Sequence, residues 1–224
     1  MTDSHSSQGW ADTYSARQDV ERQFGDFGHL DIVKRSEDVV AQFVQPGCSL
    51  LEVGAHDRSL LESSKVLRAR AESLTPPVEY YSCDIDETHH HDFRHLDEIN
   101  RDFDLVVAFH VLEHIPAHQL GHFIDGLFRA CKPGGKVVAA VPNVFCPGEY
   151  FRDSWHVTPL SPQELGGWFV QAGFKVQAIH RVFNAPFPAR PIKRLLTWLV
   201  FRHFQIDCAP GICLVANRPI VTSG

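Results

Sequence analysis

The chain has 224 residues, enough for one α/β domain with a small appendage. Its formal net charge of −6 argues against a general nucleic-acid-binding protein, which would usually carry a strongly basic face. Six cysteines without a C-x-x-C pair argue against a zinc ribbon and indicate reduced thiols, so we expect a cytoplasmic protein.

The N-terminal segment is polar, and we predict that residues 1–28 form an arm that is at most partly ordered. Residues 29–224 are predicted to form the main domain. The first residues contain no apolar signal-peptide core. No stretch approaches 18 apolar residues, so stable membrane insertion is not expected.

Apolar residues at roughly helical spacing predict a helix over 30–45, which Pro46-Gly47 ends. After it, short apolar runs predict buried strands, and amphipathic segments predict helices between them. The predicted strands cover 48–53, 78–86, 103–109, 136–143, 175–183 and 211–218. The predicted helices cover 59–72, 118–132, 161–174 and a basic, aromatic insertion at 187–205.

This alternation predicts an α/β fold with a doubly wound, mostly parallel sheet and helices on both faces. Only 16 residues lie between Asp86 and Phe103, too few for two crossovers. One strand–helix unit is therefore expected to be shortened or missing there.

The strand at 103–109 runs into His110-x-x-Glu113-His114, the spacing of an inverted zincin site. A zincin helix would have to continue through Pro116, which lacks a backbone donor. We therefore interpret the segment as the rim of a ligand pocket, with a metal-dependent hydrolase as a distant alternative. The many histidines, including His89 to His91, are read as a solvated loop and a polar helix face.

In doubly wound sheets, ligands bind beyond the carboxyl ends of the strands. Gly54, in the loop after the first buried strand, would let the backbone approach a ligand closely. Asp84 follows the next strand and is placed to accept hydrogen bonds from a ribose diol.

Five segments stand in a characteristic order: LLEVGA, YYSCDID, FDLVVAFHVLEHIP, CKPGGKVVAAVPN and LSPQELGGWFVQAGFKV. Together they resemble the class I S-adenosylmethionine-dependent methyltransferases, most closely a small-molecule branch with a VLEH segment. The resemblance covers roughly residues 35–182 and implies a Rossmann-like fold whose last strand is an antiparallel edge. It implies S-adenosylmethionine as cofactor, contacted by Glu52, Gly54, Ala55, His56, Asp84, Ile85, Asp92, Phe93, Phe109 and His110.

One departure concerns the cofactor loop, which in the family usually reads E/D-x-G-x-G-x-G. Here His56 and Arg58 stand where glycines are expected, which costs backbone freedom. This departure affects how the cofactor would bind.

The acceptor side is usually built by the loop after the fourth strand. His156 is the first candidate for a base that deprotonates a hydroxyl, and His110 the second. Asp153 is a candidate to orient His156, whose alternative role is to hydrogen-bond the backbone. Glu113, His114, Tyr150, Arg152 and Trp155 are the expected substrate contacts.

Imidazole and carboxylate groups in this region would suit a divalent ion that positions the acceptor. No metal ligand is nevertheless expected. The insertion at 187–205 has three interpretations: a lid, a helix at a membrane surface, or a helix packed on the sheet or in a homodimer interface.

The resemblance predicts an enzyme that methylates a small-molecule acceptor, such as a sugar or a natural-product intermediate. No nucleic-acid partner is expected. The alternative is a methyltransferase-like binding or scaffold protein without activity, which the altered loop at His56 and Arg58 would favour.

Overall fold

The computed structural model describes residues 7–25, 30–183 and 191–220. Seven strands form one sheet, and helices lie on both of its faces. The strands are β1 (Asp31–Val33), β2 (Ser49–Val53), β3 (Glu79–Cys83), β4 (Phe103–Phe109), β5 (Cys131–Pro142), β6 (Lys175–Val182) and β7 (Gly211–Asn217). The helices are α1 (Ser7–Phe24), α2 (Ser36–Val40), α3 (Leu60–Ser63), α4 (Lys65–Glu72), α5 (Ala117–Ala130), α6 (Pro147–Tyr150), α7 (Pro162–Gln171) and α8 (Pro191–Phe204).

The strand order is β1-β6-β7-β5-β4-β2-β3, and every neighbouring pair is parallel except those that β7 makes. The predicted doubly wound, mostly parallel sheet is confirmed, as is the antiparallel last strand. Its expected position at an edge is wrong, because β7 lies between β5 and β6. The chain returns from β6 through α8, which allows β7 to run back beside β6 and pair with β5.

The connection from β3 to β4 contains a single 3-10 turn, Leu96–Glu98, and no full strand–helix unit. Phe93 donates from its backbone N–H to the Ser82 carbonyl at 3.0 Å, which adds one parallel bridge to the edge of β3. The shortened unit predicted after Asp86 is therefore confirmed. As a result, residues 92–98 lie directly beside the carboxyl end of β3.

Residues 7–24 form α1, so the prediction of a partly ordered arm is wrong for them. Arg17 pairs with Glu164 of α7 at 2.9 Å, and Val20 is buried. Gly166 makes this contact close, since a Cβ there would lie 2.8 Å from Val20 Cγ1. Residues 1–6 and 26–28 of the predicted arm, and 187–190 of the predicted insertion, lie outside the described residues.

The helix predicted over 30–45 is instead β1 followed by the short helix α2. The apolar residues of β1 and α2, taken together, happen to follow the spacing of a single amphipathic helix, which explains the wrong prediction. The helix predicted over 59–72 is divided into α3 and α4 at Ser64, whose Oγ accepts from the Leu67 N–H as a helix N-cap.

Of the insertion, α8 is described. Phe201 is buried and packs edge-on against Phe145, with ring centroids 5.4 Å apart. Leu195, Leu199 and Phe204 are exposed. The three interpretations of this helix stay predictions. Within the described part of the chain, no helix combines the length and the apolar character needed to cross a bilayer.

A buried polar network holds the chain after α8 against the sheet. Asp207 accepts from Arg181 Nε at 3.0 Å and from Asn143 Nδ2 at 2.9 Å, and Arg181 Nη2 donates to its second oxygen. Both members of the ion pair are almost fully buried. Because the network ties 207–210 to β5 and β6, it shapes the surface beyond the carboxyl end of β5.

We predict that Asp207→Ala lowers the free energy of unfolding by about 3–5 kcal/mol, because the Arg181 guanidinium would remain buried without its partner. The control is Glu79→Ala, which breaks the exposed pair with Arg101 and should cost less than about 1 kcal/mol. Urea denaturation followed by circular dichroism measures both. Equal losses in the two variants would contradict the prediction.

Candidate functional site

Two cavities lie on either side of residues 109–115, the segment that leaves β4. The β3-side cavity, of about 350 Å³, opens beyond the carboxyl ends of β2 and β3. The β5-side cavity, of about 370 Å³, opens beyond the ends of β4 and β5. Both volumes are typical of small-molecule sites.

The β3-side cavity has apolar walls and a polar rim. Val53, Val111 and Ile115 are among its apolar residues, and Asp84 is one of its polar groups. This combination suits a flat, largely apolar ligand with polar edges. Its remaining lining residues are Gly54, Cys83, Ile85, Arg94, His95, Leu96, Asp97, Gln119, His122 and Phe123.

The loop after β2 has a left-handed backbone at three alternate positions, two of which are not glycine. Gly54, His56 and Arg58 have φ angles of +76°, +37° and +62°. This left-handed region is costly for side chains other than glycine. His56 and Arg58 therefore hold the backbone conformation that a glycine would adopt at less cost.

Asp84 holds this loop in place. One carboxylate oxygen accepts from the His56 N–H and the other from the Asp86 N–H, both at 2.8 Å. Arg58 reaches outward, donates to the His90 carbonyl at 3.0 Å and pairs with Asp92 at 3.3 Å. Each oxygen of Asp84 retains acceptor capacity towards the cavity that it lines.

Gly54 is required for close packing as well as for its φ angle. A Cβ at this position would lie 2.1 Å from Cγ2 of Val111. The loop after β2 therefore touches the segment that leaves β4, and Val111 forms part of the wall between the two cavities.

Several of the predicted cofactor residues lie away from the β3-side cavity. Glu52 accepts a hydrogen bond from the Tyr80 hydroxyl, and Asp92 accepts from the Ser82 N–H at 2.9 Å. Phe93 packs against the core, and Ala55 is buried in it. Phe109 and His110 line the β5-side cavity, whereas Gly54, Asp84 and Ile85 line the β3-side cavity as expected.

Histidines and charged groups line the β5-side cavity. His156 donates from Nδ1 to the Tyr150 carbonyl at 2.7 Å, because a carbonyl can only accept. This fixes the tautomer that leaves a lone pair on Nε2. His114 is held in the same way, with Nδ1 3.0 Å from the Trp155 carbonyl.

Asp153 does not orient His156 by a hydrogen bond, since its Oδ2 lies 3.8 Å from Nε2 and its Oδ1 accepts from the Trp155 N–H. The Tyr150 carbonyl has the orienting role instead. The Tyr150 ring is buried and the Trp155 side chain is exposed, so neither lines the cavity. Arg152 does line it and pairs with Glu149 at 2.9 Å.

Glu113 lies beneath this cavity and is 1% exposed. Its backbone carbonyl accepts from the Val157 and Thr158 N–H groups at 2.9 and 3.0 Å. Its Oε1 is 3.3 Å from His110 Nδ1, and this contact raises the pKa of the His110 imidazole. His110 itself has a φ of +55°, and its N–H donates to the Ala140 carbonyl.

Several lining residues were not expected from the sequence. Ser36 and Glu37 of α2 face the β5-side cavity, and the prediction of one long helix over 30–45 concealed them. Gln119, His122 and Phe123 of α5 face the β3-side cavity. The polar, histidine-rich face of the predicted helix 118–132 could have indicated that these three residues face a ligand cavity.

Glu52 gives the first testable property of this region. Burial raises the pKa of its carboxyl from 4.5 to about 7, while the Tyr80 hydroxyl opposes that rise. The protonated form therefore stabilises the fold fully below about pH 4.5, and this stability is lost as pH rises through about 7.

The free energy of unfolding of the wild type should fall by at most about 3 kcal/mol between pH 4.5 and 8 because of Glu52. We predict that Glu52→Gln removes most of this fall. Tyr80→Phe removes the opposing hydrogen bond and should steepen the dependence. The free energy of unfolding, measured by urea titration across that range, tests both. A slope in Glu52→Gln equal to that of the wild type would refute the assignment.

Comparison with known proteins agrees with this architecture. A family model described as a methyltransferase domain matches residues 29–179. A curated protein of Mycolicibacterium smegmatis, described as a probable S-adenosylmethionine-dependent methyltransferase, is 34% identical over 87 residues. That match spans 36% of this chain and 32% of the relative, about a third of the relative's length.

Solved structures share the fold at low identity. A SAM-dependent methyltransferase from Archaeoglobus fulgidus has a TM-score of 0.58 and 15% identity, over 80% of this chain and 93% of its own. Magnesium protoporphyrin IX methyltransferase from Synechocystis PCC 6803, solved with bound SAH, has a TM-score of 0.51 and 13% identity, over 96% and 90% of the two chains. With its strand order, its loop after β2 and the match over 29–179, this chain belongs to the class I S-adenosylmethionine-dependent methyltransferase family.

Proposed function

We propose that this chain transfers a methyl group from S-adenosylmethionine to a small-molecule acceptor. The observation that carries the proposal is the shared wall: residues 109–115 separate a largely apolar cavity at the end of β3 from a polar cavity at the end of β5. A cofactor bound in the first would lie next to an acceptor bound in the second.

The residues of the β3-side cavity fit the cofactor. Asp84 offers carboxylate lone pairs to a ribose diol, and the apolar groups Leu96, Val111 and Phe123 suit an adenine ring. The left-handed backbone at Gly54 lets the chain approach a ligand without a side chain in between. The altered loop therefore gives little support to an inactive scaffold.

When bound, S-adenosylmethionine supplies an electrophilic methyl group on a sulfonium sulfur. The transfer is an in-line displacement, so the protein contributes mainly by positioning the acceptor oxygen. The acceptor oxygen would displace the sulfonium sulfur from the methyl carbon, and its proton would pass to a base beside it.

The β5-side cavity suits a small polar acceptor. Arg152 provides a fixed positive charge, while Glu149 and Asp153 provide negative ones. The Nε2 lone pair of His156, left free by the bond from Nδ1 to the Tyr150 carbonyl, can accept the proton of an acceptor hydroxyl. His156 thus keeps its place as the first candidate for the base.

All six cysteines are free, which agrees with a reducing compartment. A cytoplasmic location is part of the proposal for this reason.

We predict that the wild type binds S-adenosylhomocysteine and that Asp84→Ala weakens binding about 10- to 100-fold, the range expected for lost hydrogen bonds to a charged group. The control is Asp86→Ala, which removes a carboxylate bonded to Thr88 outside the lining of the cavity. This control should change the affinity by no more than about twofold. Titration calorimetry measures all three proteins.

An acceptor panel completes the test. Phenols, sugars and short RNAs are offered together with S-adenosylmethionine, and formation of S-adenosylhomocysteine is measured. Turnover with a phenol or a sugar supports the proposal, and turnover with RNA alone overturns the small-molecule class. A wild type that fails to bind the cofactor overturns the enzyme itself.

A further inference from the structure

The carboxylate of Glu113 is buried without adequate partners. Its side chain is 1% exposed, and neither oxygen accepts a hydrogen bond from the described residues. His110 Nδ1 approaches Oε1 at 3.3 Å, but the His110 side chain is mostly exposed and Oε2 has no such neighbour among those residues. A buried carboxylate in this state costs several kcal/mol unless a cation compensates it.

Two imidazoles stand beside this carboxylate with their Nε2 atoms available. His114 and His156 each bind a backbone carbonyl through Nδ1, those of Trp155 and Tyr150. A histidine that ligates a metal commonly donates its other N–H to a carbonyl in this way, which fixes the tautomer and the orientation of the ring. Their ring centroids are 5.0 Å apart.

The three groups converge. One atom from each of Glu113, His114 and His156 lies within 4.8 Å of the other two. Ligands about 2.0–2.2 Å from a common ion lie roughly 3–4 Å apart, so small side-chain rotations would close the set around an ion. We propose that Glu113, His114 and His156 bind a divalent transition-metal ion at the floor of the β5-side cavity.

The donor set indicates which ions suit the site. Two imidazoles and one carboxylate favour Zn²⁺, Mn²⁺, Fe²⁺ or Co²⁺ over Mg²⁺ and Ca²⁺, which prefer oxygen ligands alone. Three protein ligands leave coordination positions towards the cavity for water or an acceptor oxygen. The expectation of no metal ligand rested on interpreting the histidines as a solvated loop and a polar helix face. His114 and His156 instead line the β5-side cavity and are held there by backbone carbonyls.

The ion refines the proposed function, because it would replace His156 as the group that activates the acceptor hydroxyl. This role of the ion, though not its binding, rests on the proposed function. A hydroxyl bound to the ion has a lowered pKa, so it can lose its proton to solvent before it attacks the methyl carbon. His156 then acts as a ligand, and the ion takes over the activation that a free imidazole would provide.

This set differs from the other histidines of the chain. Within the residues that the structure describes, no second group of three histidine, cysteine or carboxylate side chains converges in this way. The rings of His56, His89 and His91 make tilted and edge-on contacts near the loop after β2, but the three residues do not form such a group. Exposed single histidines bind metals only weakly, so a substitution at one of them serves as the control.

The test is metal binding by the untagged protein after treatment with a chelator, in the absence of S-adenosylmethionine. Titration calorimetry with Zn²⁺ and with Mn²⁺ should give one tight site, and Co²⁺ should give visible d–d absorption. Glu113→Gln and His156→Ala should each weaken binding by roughly a hundredfold or more, because each removes one of three ligands. His118→Ala, which changes an exposed histidine of α5, should bind as the wild type does.

The outcomes separate this proposal from the proposed function. Glu113→Gln keeps the shape of the buried side chain, and if it folds, by circular dichroism, and still binds Zn²⁺ like the wild type, the metal site is overturned. The metal site is also overturned if the wild type, at roughly 100 μM protein and with excess metal, binds less than 0.2 equivalents of every metal tested. S-adenosylhomocysteine binding by Glu113→Gln tests the cofactor cavity independently, because Glu113 lies outside that cavity.

Discussion

The burial of Glu113 is the constraint on which the rest of the site depends. Its backbone carbonyl accepts from the Val157 and Thr158 N–H groups, so the loop after β5 is fastened to the turn after β4. Its carboxylate is enclosed in the same place, beneath two imidazoles that the loop orients. A carboxylate is rarely buried without compensation. His110 approaches only Oε1, and the proposed metal ion would compensate the rest of the charge. The packing of these two loops brings His114 and His156 together at the wall of the β5-side cavity.

A second constraint sets the position of the turn after β4. Gly54 has no side chain and lies against Val111, while His110 adopts a left-handed φ of +55° and bonds to Ala140 of β5. The chain is thereby held against β2 on one side and β5 on the other. Strained backbone of this kind persists where the surrounding structure fixes it, and it is common at functional sites. Here it makes residues 109–115 a thin wall with a cavity on each side.

The fold was largely predictable from the sequence, because apolar strand runs and amphipathic helices depend on local periodicity, and the short interval after Asp86 left no room for a full unit. The predictions failed for elements whose formation depends on contacts with distant parts of the chain. β1 forms by pairing with β6, and α1 packs closely on α7 because Gly166 leaves room for Val20. In the site, Asp84 lines a cavity beyond the end of β3, where the sequence put it, and its contact with a ribose stays a prediction. A hydrogen bond from His156 to the backbone was the alternative role expected for it, and Nδ1 does lie 2.7 Å from the Tyr150 carbonyl. Which carbonyls orient His156 and His114 could not have been predicted, because the sequence does not encode backbone positions directly. The burial of Glu113 was equally hidden, since its neighbours at 157 and 158 are more than forty residues away.

The central claim is that cofactor and acceptor occupy the two cavities on either side of residues 109–115. A crystal structure with S-adenosylhomocysteine tests it most directly. The account predicts adenine between Leu96 and Phe123, ribose hydroxyls on Asp84, and the thioether sulfur directed past Val111 towards the β5-side cavity. A nucleoside bound in the β5-side cavity itself, or a sulfur directed away from His110 and His156, would contradict it.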